Sequence, residues 1–129
     1  FGNAAQGYDI DIMGINVFHP EPDTLKQRIS SLLATMQQRF GVVQSIEKLP
    51  IHINHAYFGG AYGQPTAAGL EAINMFASLE GILLDPVYSG KAAAGLIDQI
   101  TLGNFDDHEH IVFIHTGGAA SLSAYDSAW

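Results

Sequence analysis

Hydroxyl, phenol and glycine groups at the ends of apolar runs carry most of the chemistry this sequence can offer. One set, Tyr88, Ser89, Gly90 and Lys91, follows Gly81-Ile82-Leu83-Leu84-Asp85-Pro86-Val87. A second, Thr116-Gly117-Gly118, follows Ile111-Val112-Phe113-Ile114-His115. A hydroxyl beside open backbone amides offers donors and acceptors to a flat polar ligand. In α/β sheets such ligands sit at the carboxyl ends of strands, next to the start of the following helix. The third stretch, Tyr57-Phe58-Gly59-Gly60-Ala61-Tyr62-Gly63-Gln64-Pro65-Thr66, is dense in glycine and aromatic rings and reads as a loop. Glycine lets a backbone approach a ligand closely. Tyr62 can cover a planar ring or pin the loop down, and pinning is the commoner role of loop aromatics.

Other reactive side chains have simpler readings. His115 fits a satisfied core residue better than a base. Lys91, in the first turn of a helix, fits an ion-pair or capping role better than a catalytic amine. Asp106-Asp107-His108-Glu109-His110 and His52-x-x-His55 contain metal-capable residues, but neither has the spacing of a closed site, and a polar turn accounts for them more simply. Gly2 to Gly7 has the glycine separation of a phosphate loop without its Lys-Ser/Thr, and the G-x-S-x-G elbow of serine hydrolases is absent. With no cysteine in the chain, a disulfide scaffold and thiol catalysis are excluded.

The elements that must position these groups alternate between periods. Ile10, Ile12, Met13, Ile15, Val17 and Phe18 form a strand-like run that ends at His19-Pro20-Glu21-Pro22. From Asp23, a possible cap, Leu25, Ile29, Leu32, Leu33, Met36 and Phe40 recur at helical spacing as far as Gly41, with Lys26, Arg28 and Arg39 on the wet face. Ile51 and Ile53 alternate with His52 and Asn54, as in a short strand. Thr66 can cap a helix that runs to about Glu80 and buries Leu70, Ile73, Phe76 and Ala77. Ile82–Leu84 and Ile111–Ile114 have no polar face and read as strands covered on both sides. Between them a helix starts near Ser89, a serine able to cap it, carries Leu96, Ile97 and Ile100 on its apolar face, and ends around Gly103. Ala119 to Tyr125 fits a short helix before Trp129. This alternation predicts an α/β fold with an open, mostly parallel twisted sheet and flanking helices, in a single unit over residues 1–129.

The chain of 129 residues is 47% hydrophobic and 14% charged, which suits a globular unit with a core rather than a disordered segment. Its formal net charge of -8 repels phosphate backbones and anionic membranes, so nucleic acid and lipid are disfavoured partners. No apolar stretch is long enough to span a bilayer and no basic-then-apolar leader is present, so a soluble cytoplasmic protein is the default expectation. Phe1-Gly2-Asn3-Ala4-Ala5-Gln6-Gly7 reads as a loop entering a strand, as in a fragment.

Three segments, Ala61–Thr66, Glu80–Lys91 and Phe113–Ala119, together resemble the carboxyl-terminal part of a family of pyridoxal-phosphate enzymes, that of D-cysteine desulfhydrase and 1-aminocyclopropane-1-carboxylate deaminase. Order and spacing agree from Tyr57 to Tyr125, and the earlier residues fit in general pattern. The resemblance implies fold type II, two α/β domains with the cofactor between them, and makes this chain a carboxyl-terminal fragment of the large cofactor-binding domain. It also implies a small amino acid substrate, a missing amino-terminal portion as partner, and a homodimer when the enzyme is complete.

By family position, Thr116 contacts the pyridine nitrogen with Gly117 beside it, Tyr88 relays a proton or orients the substrate, Tyr62 lines the pocket, and Ser89 is a pocket hydroxyl. Deaminases of the family have Glu in place of Ser89 and Leu in place of Thr116, so the match is to the desulfhydrase side. A neutral hydroxyl at the ring nitrogen leaves a weaker electron sink than a carboxylic acid does, which suffices for β-elimination of a good leaving group. The implied substrate is D-cysteine or a similar sulfur amino acid, which loses its α-proton and then sulfide or sulfite and yields pyruvate and ammonia. Ala93 and Ala120 depart from the Met and Pro that relatives often carry. Neither the Schiff-base lysine nor the phosphate-binding Ser/Gly loop has a counterpart in the chain; Lys26, Lys48 and Lys91 do not match it. The expectation is that this chain alone is inactive. The alternatives are a non-catalytic α/β domain of the same origin that binds a ligand or partner, and an aminocyclopropane-carboxylate deaminase.

Overall fold

The computed structural model describes residues 1–8, 10–41, 51–107 and 110–128. They form α1 (Gly2–Gln6), β1 (Met13–Ile15), α2 (Pro22–Phe40), β2 (His52–Asn54), α3 (Ala67–Glu80), α4 (Ser89–Thr101) and a 3-10 helix, Ala119–Ala128. The chain divides into two compact units, one of Phe1–Gly14 with Glu21–Asn54, the other of Ile15–Pro20 with His55–Trp129.

Strands β1 and β2 pair as a two-stranded sheet. The helix expected from Asp23 is present as α2, but it begins one residue earlier, because Pro22 takes the first helical position where its missing N–H costs nothing. Asp23 therefore sits in the first turn and Glu21 is the cap residue. Gly41 ends the helix at φ 64°. Leu25, Ile29, Leu33 and Met36 are half-buried at the expected spacing, whereas Leu32 and Phe40 are exposed.

The second unit is built on α3 and α4, whose facing residues Ala72, Ile73, Ala93 and Ala94 form the buried core with Leu84; Leu70, Phe76, Ile97 and Phe113 pack around it. Thr66 caps α3 as expected, its Oγ1 accepting from Gly69 N–H at 3.1 Å. The buried face of α4 differs from expectation. It consists of Ser89, Gly90, Lys91, Ala93, Ala94, Gly95 and Gln99, while Ile100 is exposed. Small side chains let α4 lie close to its neighbours: a Cβ at Gly90 would fall 2.8 Å from Ile73 Cγ1. Helix α4 also stops at Thr101, short of Gly103.

The long strands do not form. The run from Ile10 to Phe18 contributes only Met13–Ile15, and Ile82–Leu84 and Ile111–Ile114 form no strand among the described residues. Covered-strand composition persists there without a ladder to cover it: Leu84 is fully buried, but Leu83, Val112 and Ile114 are exposed. The expected polar turn after α4 is seen over residues 102–107, while His108 and Glu109 of the acidic-histidine run, like Lys48 and Trp129, lie outside the described residues. The helix expected from Ala119 is 3-10 rather than α, with Tyr125 off helical geometry at φ -121° and ψ 29°. Among the described residues no helix is long and apolar enough to cross a membrane.

Candidate functional site

The turn from Leu84 into α4 is organised by Asp85. Its Oδ2 accepts from the Val87 and Tyr88 N–H groups and its Oδ1 from the Ser89 N–H, each at 2.8 Å, and the Ser89 hydroxyl donates to Oδ1 at 2.6 Å. Asp85 N–H in turn donates to Ser89 Oγ at 2.8 Å. Asp85, rather than Ser89, thus satisfies the orphan amides ahead of α4 and puts a negative charge at the helix's positive end. Burial alone would raise the Asp85 pKa, but the Ser89 hydroxyl and the three backbone N–H groups together outweigh it and hold the carboxyl below its ordinary value. Ser89 is buried, with its hydroxyl hydrogen and one lone pair both engaged by Asp85.

Tyr88, one residue earlier, points outward and is 41% exposed. Its hydroxyl is hydrogen-bonded to that of Tyr62, and the two rings lie 5.9 Å apart. The bond to Tyr62 is the main cause of a raised Tyr88 pKa, because it favours the neutral phenol. Phe18 completes the row, edge-on to Tyr62 with centroids 5.2 Å apart. The turn that carries Phe18 is fixed by buried Asn16. Its Oδ1 accepts from Phe18 N–H and His19 N–H, and its Nδ2 donates to His19 O at 2.6 Å. Asn16 Nδ2 also lies 3.0 Å from His55 Nδ1. An amide nitrogen only donates, so His55 accepts at Nδ1 and carries its proton on Nε2.

The second ligand end meets the first. Gly118, at φ 105°, passes so close to Asp85 that a Cβ there would overlap the carboxylate. This close approach sets the Thr116-Gly117-Gly118 turn against the start of α4. His115 steadies the same turn: its Nδ1 accepts from Gly117 N–H at 3.0 Å, which leaves Nε2 to donate to Leu83 O at 3.0 Å. Thr116 and Gly117 are exposed.

The structure therefore brings Tyr62 to Tyr88, and the 116–118 turn to the Asp85–Ser89 turn. The organising role of Asp85 escapes a reading that takes Asp-Pro only as a strand end, although an acid four residues before a serine at a helix start is the available signal. Lys91 has no accessible amine. It is fully buried, its Nζ donates to Phe58 O at 2.7 Å, and burial lowers its pKa. Among the described residues no group of three or more His, Asp or Glu is placed to hold a metal ion.

The second unit thus gathers phenols and hydroxyls just ahead of and at the start of α4, groups with the donors and acceptors that a flat polar ligand would need. Comparison with known proteins points to a family. The chain is 43% identical over 117 residues to D-cysteine desulfhydrase of Salmonella newport and 44% identical to that of Salmonella paratyphi C, over 91% of this chain and 34% of each of those proteins. A crystal structure described as an ACC deaminase homologue superposes with a TM-score of 0.84 at 31% identity, covering 98% of this chain and 37% of that one. No family model matches. These likenesses support a carboxyl-terminal portion of the D-cysteine desulfhydrase and ACC deaminase family. It spans about a third of the length of the curated relatives it matches.

Proposed function

We propose that this chain forms the carboxyl-terminal part of the large cofactor-binding domain of a pyridoxal-phosphate-dependent lyase that eliminates sulfide or sulfite from D-cysteine or a similar sulfur amino acid. The observation that carries the reading is the Tyr62–Tyr88 hydroxyl pair on an exposed face of the unit that also holds the Thr116-Gly117-Gly118 turn against the start of α4. The residues present fit one side of the cofactor. Thr116 offers a neutral hydroxyl for the ring nitrogen, and the glycines after it leave room for a flat ring to approach. When bound, the cofactor draws electron density from the substrate's α-carbon. Tyr88 orients the substrate and holds or passes a proton at its phenol oxygen, with Tyr62 as its hydrogen-bond partner. Ser89 supports the wall through Asp85, since its hydroxyl already donates to that carboxylate.

The Schiff-base amine and the phosphate cradle belong to the rest of the family's fold, because Lys91 is sealed inside the α3–α4 pair. The partner is thus the amino-side portion of such an enzyme, and the complete assembly is a homodimer in the cytoplasm. The test is complementation. The chain is mixed or co-expressed with the amino-side two thirds of a Salmonella D-cysteine desulfhydrase, and pyruvate release from D-cysteine is followed with pyridoxal phosphate added. Activity should require both chains and should fall on the order of 100-fold or more in Tyr88→Phe, as expected on losing a general acid–base group. Release of pyruvate by this chain alone, or unaffected activity in the variant, would defeat the reading. Thr116→Leu should alter the cofactor absorbance of the complemented enzyme.

A further inference from the structure

The glycine-rich loop that carries Tyr62 is tied down at two carbonyls. At one end the fully buried Lys91 reaches from the first turn of α4, and its ammonium donates to Phe58 O at 2.7 Å. At the other, the Tyr125 hydroxyl donates to Gly63 O at 2.9 Å from the 3-10 helix. Gly59, Gly60 and Gly63 lie between or at these ties with φ of 78°, 85° and 77°. Such a sequence has little steric preference for one shape, so its conformation must be imposed from outside. We propose that Lys91 and Tyr125 are positioning residues that clamp the loop at Phe58 and Gly63 and thereby hold Tyr62 in register with Tyr88.

Two features support a specifying rather than a merely stabilising role. Burying an ammonium is costly unless it is paired, and an apolar side chain of similar volume would fill the same space at less cost. Yet the stem of Lys91 already packs on α3, where a Cβ at Gly69 would lie 3.6 Å from its Cγ. The packing therefore does not need the charge, whereas the bond to Phe58 O does. Secondly, the loop closes over the ammonium: a Cβ built at Gly59 would stand 3.4 Å from Nζ and would collide with Thr66. The glycine backbone thus lies directly on its tether. The 3-10 helix, which contributes no predicted site residue, gains a part in the site through Tyr125.

The functional consequence rests on the proposed role of the Tyr62–Tyr88 pair, but the clamp itself is tested in the full chain without cofactor or partner. Cross-peaks between the Tyr62 and Tyr88 ring protons are measured by NMR in the parent, Lys91→Met and Tyr125→Phe, together with the urea midpoint of each. Lys91→Met should lose the cross-peak while its midpoint stays level or rises, a split that a purely structural lysine would not give. Tyr125→Phe removes one hydroxyl and should also lose it at a near-parental midpoint. Retention of the cross-peak in either folded variant overturns the clamp. If Lys91→Met fails to fold, Tyr125→Phe decides alone. Loss of the cross-peak with undiminished activity in the complemented enzyme would instead count against the role given to the phenol pair, with the clamp standing.

Discussion

Asp85 has four donors around two carboxylate oxygens in a site closed to solvent, and its charge is what makes that arrangement possible. Its pKa is depressed in the folded chain, so between the folded and unfolded values the unfolded chain binds more protons. Stability from this group is therefore full above the ordinary aspartate value of about 4 and is lost as pH falls through the lower folded value. Asp85→Asn cannot accept on both sides, because its NH2 would face N–H or O–H donors. It should lose about 2–4 kcal/mol at neutral pH, and its stability below pH 4 should fall less steeply than the parent's. Urea unfolding at several pH values checks both outcomes, and parallel acid arms would refute the linkage. At this scale the sequence was only partly legible. Tyr88 and Tyr62 enter as site residues through the family resemblance, since a loop phenol by itself more often packs, and Asp85 as organiser of the turn does not stand out at all. Asp85 and Ser89 are both good capping residues four positions apart, and residue type alone does not show that Asp85 takes three amides and a hydroxyl while Ser89 Oγ accepts only from Asp85 N–H.

The helices follow local signals closely, since propensity, caps and apolar period all act within the element. Thr66 at the start of α3 and Gly41 after α2 show this. Strands need a neighbour to become strands, and Ile82–Leu84 and Ile111–Ile114 form none for want of a ladder among the described residues. The buried face of α4 is the converse case, in which tertiary packing selected Gly90, Ala93, Ala94 and Gly95 over the larger apolar stripe because the helices approach closely. Gly90→Ala tests that balance. Alanine gains up to about 1 kcal/mol of helix propensity. Its Cβ, however, would lie 2.7 Å from Asp85 O, and that oxygen is held by Gly90 N–H at 2.8 Å. Overpacking costs about 1–3 kcal/mol where neighbours cannot yield, so the variant should be destabilised overall. A control substitution at Gly2, where a Cβ would meet nothing within 4 Å, should be neutral or slightly stabilising in the same denaturation assay.

Across the whole molecule, two opposing surface properties decide how it behaves in solution. Val112 is 82% exposed, Ile114 77% and Leu83 55%, and the His115 ring bonded to Leu83 O ties the two segments that carry them. Exposed apolar side chains on such segments favour association. The formal net charge of -8 opposes it by mutual repulsion. That repulsion acts over roughly 30 Å at 0.01 M salt and only about 3 Å at 1 M, whereas contact between apolar groups strengthens or holds as salt rises. The chain should therefore sediment as a monomer at low ionic strength and gain mass as sodium chloride is raised. Val112→Lys with Ile114→Lys should remove that gain without lowering the urea midpoint, because neither side chain is in the buried core. If the same face receives the amino-side portion of the family's fold, adding that portion should suppress the salt-driven association of the parent, and the double variant should complement poorly while still folding. Association that persists in the double variant would place the adhesive surface elsewhere. Unimpaired complementation by it would separate this face from the assembly of the enzyme.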